Sequence, residues 1–503
     1  MIRKAIVEGG AVVGIPAADP RITAFKGIPF AAPPVGENRW RAPQPVIPWE
    51  GERQCWSFAP ISMQHIPGLD LNNIYSREWN VDPSIPMDED CLYLNVWTPA
   101  KTQEEKLPVF VWYFGGGLME GNPAEMEFDG ERIARRGIVV VTVNYRLNAF
   151  GFLTCSELKK EQPDAPANFG HLDQQAGTRW VKRNIAAFGG DPNNITIGGQ
   201  SAGGGSVCAQ LTSPQNEGLF QKAIIMSGLS GGVYPGRFGP MRRGNFATPE
   251  EMGEAFFAHM GVKTLAEARA LPAEFVRDKT LDFPGHFGTV VDGQFQTDNS
   301  AKNLLAGKRL PVPLRVSRTS TEFMTSLRVE GPEELKKFAD EAFGDEAEAF
   351  LKLMGPDPAK WPEISKCSGI EIAARALARR NKELGIDAPV YYSVFDPEIP
   401  GWDNPGTFHS SDLWFWFETL AKCWRPFVGK HFDLARQMCN YMSNFIRSGD
   451  PNGCDADGTG MPYWQPLTDA APAAMIWGDK AKSIMDEPSK LMKLLVNAWL
   501  AKN

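Results

Sequence analysis

Ser201 stands at the centre of Gly199-Gln200-Ser201-Ala202-Gly203, and the β-branched run Ile195-Thr196-Ile197 leads into it. A serine hydroxyl is a weak nucleophile unless a neighbouring base takes its proton, and it attacks best from a sharp turn that lifts it out of a sheet. Gly-x-Ser-x-Gly between a strand and a helix suits that task, because the two glycines let strand and helix pass closely. The helix that follows presents unpaired N–H groups and a positive dipole end to a developing anion. On its own the pattern also occurs by chance in loops. Upstream, the apolar run Pro108 to Tyr113 breaks into Phe114-Gly115-Gly116-Gly117-Leu118. Backbone N–H groups can converge on one oxygen only where no Cβ obstructs them, so Gly116, Gly117 and Ala202 are the candidate donors of an oxyanion hole. In isolation the glycine triplet is a plain turn. Beside a strand-borne Ser201 it points to acyl transfer.

Such a turn needs a rigid sheet beneath it. Strand-like runs at Leu92 to Trp97, Val109 to Tyr113, Ile138 to Val143, Ile195 to Ile197 and Ala223 to Met226 alternate with helical or turn-rich segments such as Gln174 to Phe188. That rhythm predicts an α/β fold with a mostly parallel sheet covered on both faces. Ala5 to Val7 and Ala11 to Ile15, split by Glu8-Gly9-Gly10, read as a hairpin. From about residue 231 to 385 the pattern changes to amphipathic helices, among them Pro332 to Phe343 and Ile370 to Leu384. They predict an inserted helical cap with little sheet. A strand at Val390 to Phe395 and helices at about Phe432 to Arg447 and Lys490 to Leu500 return to the core pattern. Without a repeat or a long linker, residues 1–503 read as one domain.

The 503 residues are 43% hydrophobic and 22% charged, with a formal net charge of −8. This balance describes a folded globular protein, and the negative charge disfavours non-specific attachment to nucleic acid or to an anionic membrane surface. The first ten residues lack the apolar stretch of a signal peptide, and no run is long enough to span a bilayer. A cytoplasmic protein is expected as written, with secretion or a periplasmic setting as the alternative if a signal has been removed. The eight cysteines show no metal-ligand spacing, and no metal or cofactor is expected.

Several longer motifs resemble type-B carboxylesterases, the family that includes cholinesterases and several fungal lipases. They are Phe25 to Gly36, Glu89 to Trp97, Asn144 to Phe152 and Asn168 to Ser206, in the family's order and spread over most of the chain. The resemblance implies the α/β-hydrolase fold with a large central sheet and cap helices. It also implies serine ester hydrolysis through an acyl-enzyme. It carries the acid onto Glu322, in Thr321-Glu322-Phe323, and the base onto His409, in Gly406-Thr407-Phe408-His409-Ser410-Ser411-Asp412-Leu413. The order Ser201, Glu322, His409 is the one expected for this fold. Asp292 is the rival acid, although its Val290-Val291-Asp292-Gly293 resembles a different family motif. His171 reads as structural.

The chain departs from the family at several positions. Phe114 stands where a His is frequent, Gln200 stands where cholinesterases have Glu, and Thr321 and Phe323 replace the usual Asp and Gly around the acid. Loss of the carboxylate at position 200 makes choline esters a poor guess. The resemblance also implies a Cys55–Cys91 disulfide, with two buried thiols as the alternative. It implies structural ion pairs Arg39–Glu89 and Arg146–Asp173, and a supporting serine, Ser227, behind the acid loop. Phe114, Leu118, Phe287, Phe323 and Trp414 are candidates for an apolar or aromatic substrate pocket, although each is equally at home in a core. The expected partner is a small-molecule ester. The alternatives are a feruloyl, aryl-ester or lipid esterase and, from another class, a non-catalytic cholinesterase-like binding protein.

Overall fold

Apolar, β-branched runs buried on both faces build the centre of the molecule, as parallel strands require. The computed structural model describes residues 1–79, 81–234, 246–455 and 458–503. Among these, eleven strands form one sheet. In chain order they are β1 (Ile15–Pro16), β2 (Thr23–Pro29), β3 (Tyr93–Thr98), β4 (Leu107–Tyr113), β5 (Val139–Val143), β6 (Gly190–Gln200), β7 (Lys222–Met226), β8 (Leu314–Thr319), β9 (Val390–Phe395), β10 (Ala473–Trp477) and β11 (Ala481–Met485). Their order in space is β11-β10-β9-β8-β7-β6-β4-β5-β3-β2-β1. From β10 across to β5 every pairing is parallel, and antiparallel strands finish both edges.

Alternate residues of each strand serve opposite faces. Val109, Val111 and Tyr113 of β4 join one core with Trp180 of α1 (Phe169–Asn184) and Val207 of α2 (Ala202–Thr212). Phe110 and Trp112 join the other, with Trp416 of the short α3 (Leu413–Trp416) and Met438 and Phe445 of α4 (Gly429–Ser448). This two-faced burial is the α/β-hydrolase plan read from the sequence. The hairpin near the start is present as Lys4–Val7 paired antiparallel with Gly10–Val13.

The stretch 231–385 differs from the expected helical insertion. Helices such as Pro249–Met260, Pro332–Phe343 and Gly369–Glu383 do occupy most of its described part, but β8 runs through the middle of it, between β7 and β9. This six-residue strand carries two arginines and so lacks the continuous apolar run by which a buried strand is read from sequence.

Candidate active site

The glycine triplet, Ser201, Ser227, Glu322 and His409 follow the carboxyl ends of β4, β6, β7, β8 and β9 in turn, where ligands bind in open α/β sheets. Ser201 follows β6 immediately and has φ +57° and ψ −125°, a left-handed conformation that a serine adopts only under constraint. Its N–H donates to the carbonyl of Met226 at 2.9 Å, which ties the turn to the end of β7. The flanking glycines are required by contact. A Cβ on Gly199 would lie 2.3 Å from the carbonyl oxygen of Gly203, and one on Gly203 would lie 2.1 Å from that of Tyr113.

The glycine triplet lies against this turn, since a Cβ on Gly115 would stand 3.1 Å from Cβ of Ser201. Gly116 and Gly117 have φ +100° and +67°. None of the N–H groups of Gly116, Gly117 and Ala202 donates to a protein acceptor among the described residues. Gly116 and Ala202 are half-buried and Gly117 is exposed.

Glu322 reaches the site from the loop after β8. Its side chain is fully buried, and Oε1 accepts from Ser227 Oγ at 2.5 Å and from the Thr319 N–H at 2.7 Å. Oε2 accepts from Nδ1 of His409. That bond leaves Nε2 with its lone pair, the tautomer of a base. Nε2 lies 3.3 Å from Nε2 of Gln200, whose amide also donates to Ser410 Oγ at 2.7 Å. Ser201 and His409 are not joined by a hydrogen bond among the described residues; such contacts commonly tighten only when substrate binds. The acid loop and the histidine loop are stitched together at Thr407. Its hydroxyl pairs with that of Ser320 at 2.5 Å, and its carbonyl accepts from Thr321 Oγ1 at 2.8 Å.

The protein-family model for the carboxylesterase family matches residues 3–354 and 364–493. The chain belongs to the carboxylesterase family. Among curated relatives it is 36% identical to fumonisin B1 esterase of Sphingopyxis macrogoltabida over 355 residues, which are 68% of this chain and 61% of that protein. It is 31% identical to cocaine esterase of Homo sapiens over 92% of this chain and 84% of that protein. It is 32% identical to a medium-chain fatty acyl-CoA hydrolase precursor of Anas platyrhynchos over 90% and 84%. Among solved structures, a PNB esterase superposes with TM-score 0.76 at 27% identity, covering 98% of this chain and 99% of that one. A Geobacillus stearothermophilus carboxylesterase superposes at 0.72 and 28% identity, covering 98% and 100%.

The other readings of this carboxylesterase's sequence divide. Asp292 is not at the site: it accepts from Asn168 Nδ2 and from the N–H groups of Gln294 and Gln296, and so staples its own loop. His171 is wholly buried between Gln174 and Thr289, and burial lowers its pKa to about 4. Arg39–Glu89 and Arg146–Asp173 are buried bidentate pairs. Cys55 and Cys91 are buried free thiols in this structure, and the Cys91 sulfur lies 3.5 Å from Ser62 Oγ, whose hydroxyl donates to the Tyr145 carbonyl.

The aromatic candidates separate by burial. Phe323, 39% exposed, lies over His409 with ring centroids 4.3 Å apart, so it borders the site. Phe114 stacks on Tyr145 at 4.2 Å beneath the glycine loop, and Leu118 is buried at the loop's end with φ +61°. Phe287 is fully buried between Phe256 and Phe283, which places it in a core cluster rather than a pocket. Trp414 is buried against Trp79, with its indole N–H donating to Glu78 at 3.3 Å. Tyr75, on Ile74–Glu78, is not marked by the sequence; burial, with the charge of Glu322 adding to it, raises its pKa. The helix around it carries no motif, and its ring packs against Trp79.

Proposed function

We propose that this carboxylesterase cleaves carboxylic esters through an acyl-enzyme on Ser201, with His409 as base and then acid and Glu322 as its orienting carboxylate. The observation that carries this reading is the pairing of Nδ1 of His409 with a fully buried Glu322, beside a serine held at φ +57°. Nε2 takes the Ser201 proton as Oγ attacks the ester carbonyl. The oxyanion is received by the N–H groups of Gly116, Gly117 and Ala202. His409 then gives its proton to the departing alkoxide. Next it takes one from the water that attacks the acyl-serine, and Ser201 is restored as the acid leaves. For Nε2 to receive the serine proton, the Gln200 amide must yield its place, a step that substrate binding would drive.

Phe323 over the base favours esters with an apolar or aromatic group near the scissile bond. The names fumonisin B1 esterase, cocaine esterase and fatty acyl-CoA hydrolase cover three dissimilar acyl compounds, so they support the reaction class rather than one ester. A fluorophosphonate probe should add to Ser201 in the folded protein, and Ser201→Ala should abolish both the adduct and turnover on a panel of chromogenic acyl and aryl esters. An unlabelled wild type, indistinguishable from Ser201→Ala, would sink the hydrolase assignment and favour a binding protein.

A further inference from the structure

Arg315, the second residue of β8, has no exposed surface and stands in register with Ile224 of β7 and Tyr391 of β9. None of its three guanidinium nitrogens has a hydrogen-bond partner among the described residues. Its Cζ instead lies 3.7 Å from the centroid of the Trp416 ring. The N–H of that same indole donates to Oδ2 of Asp412 at 3.1 Å, while Oδ1 of Asp412 is also unpartnered. Asp412 is wholly buried three residues after His409. A buried cation and a buried anion therefore share one indole, the cation on its face and the anion at its edge, directly behind the histidine loop.

Neither charge is stable alone in such a place. A cation on the ring face is attracted by the indole's quadrupole and strengthens its N–H as a donor. We propose that Arg315 is a positioning residue for ester hydrolysis, acting through Trp416 as the counter-charge that makes the buried Asp412 carboxylate available behind His409. This rests on His409 being the base. An anion there favours the imidazolium that forms as Ser201 loses its proton.

The charged groups acting on Asp412 are Arg315 on β8, Glu322 in the loop that follows and His409 on its own loop. Burial, reinforced by the Glu322 charge, lifts the Asp412 pKa to about 7, and burial lowers that of Arg315 to about 9. Near neutrality Arg315 is still charged while Asp412 titrates. Removing the cation raises the Asp412 pKa further, so the pH at which the anion is present moves up.

The test is the acid limb of the kcat/KM pH profile for wild type, Arg315→Gln, Arg315→Lys, Asp412→Asn and Arg315→Gln/Asp412→Asn. Thermal melts would verify that each protein is folded. Arg315→Gln should move the limb upward by about one pH unit, a loss of about fivefold at the wild-type midpoint that approaches about tenfold well below it. Arg315→Lys should leave the limb near its wild-type place, and Arg315→Gln should cause no shift once Asp412 is Asn. A limb that stays put in Arg315→Gln, or moves equally without Asp412, would overturn the proposal and leave Arg315 a packing residue. If Arg315→Gln does not fold, Arg315→Met, closer to the stem in shape, takes its place in the same cycle. Loss of all turnover in Ser201→Ala alone tests the underlying assignment separately.

Discussion

The two halves of the site are held by different means. On the nucleophile side, the β6 turn and the glycine loop are fixed by backbone meeting backbone: Gly199, Gly203 and Gly116 each stand where a Cβ would fall within 2.3 Å of a carbonyl oxygen. On the acid and base side, Glu322 and His409 come from loops 87 positions apart and are held by side chains, through Ser227, Thr407, Thr321 and Ser320. The first half tolerates almost no change of residue type. The second tolerates many, provided the hydrogen bonds survive, which explains how Thr321 and Phe323 can stand where the family usually has Asp and Gly.

The strongest attempt to break this contrast is at the acid. Glu322→Gln keeps the shape but loses the charge behind His409, and kcat/KM should fall by about 10⁴-fold, whereas Asp292→Asn should change it by less than about tenfold. Steady-state kinetics on one chromogenic ester would reverse the assignment if the two results were exchanged. Gly203→Ala tests the backbone half, where the added methyl would meet the Tyr113 carbonyl at 2.1 Å. It should cost about 3 kcal/mol, read as a lowered denaturation midpoint together with lost activity. A normal midpoint would show that the turn relaxes more easily than its contacts imply. Ser227→Ala removes one donor of several to Glu322 and should cost about tenfold in kcat/KM with little loss of stability. The smallest effect is expected from Phe323→Gly. It relieves a residue held at φ +45°, raising stability by about 1 kcal/mol, and lowers the preference for aryl over short acyl esters a few-fold. An unchanged preference would remove Phe323 from the substrate surface.

This division also explains what the sequence made visible. The elbow and the glycine loop were legible because steric necessity writes glycine at fixed, nearby positions. Val139–Val143 and Val390–Phe395 were legible as strands because burial on both faces demands continuous apolar runs. Glu322 and His409 were reached through resemblance, since nothing local in Thr321-Glu322-Phe323 marks a carboxylate that will meet a distant imidazole. Tyr75 and Arg315 could not be read at all. What surrounds them depends on which side chains lie across from them, and the two arginines of β8 even argue against a buried strand. Phe287 illustrates the converse: an aromatic residue near a family motif was equally compatible with a pocket or a core, and only its neighbours Phe256 and Phe283 decide for the core.

Thr407 holds the acid loop through its hydroxyl and its carbonyl, two residues before the base. For anyone recombining this scaffold with a relative, the segments 319–323 and 406–412 are consequently one heritable unit: a chimaera that exchanges one without the other inherits a mismatched seam, even when both parents are active.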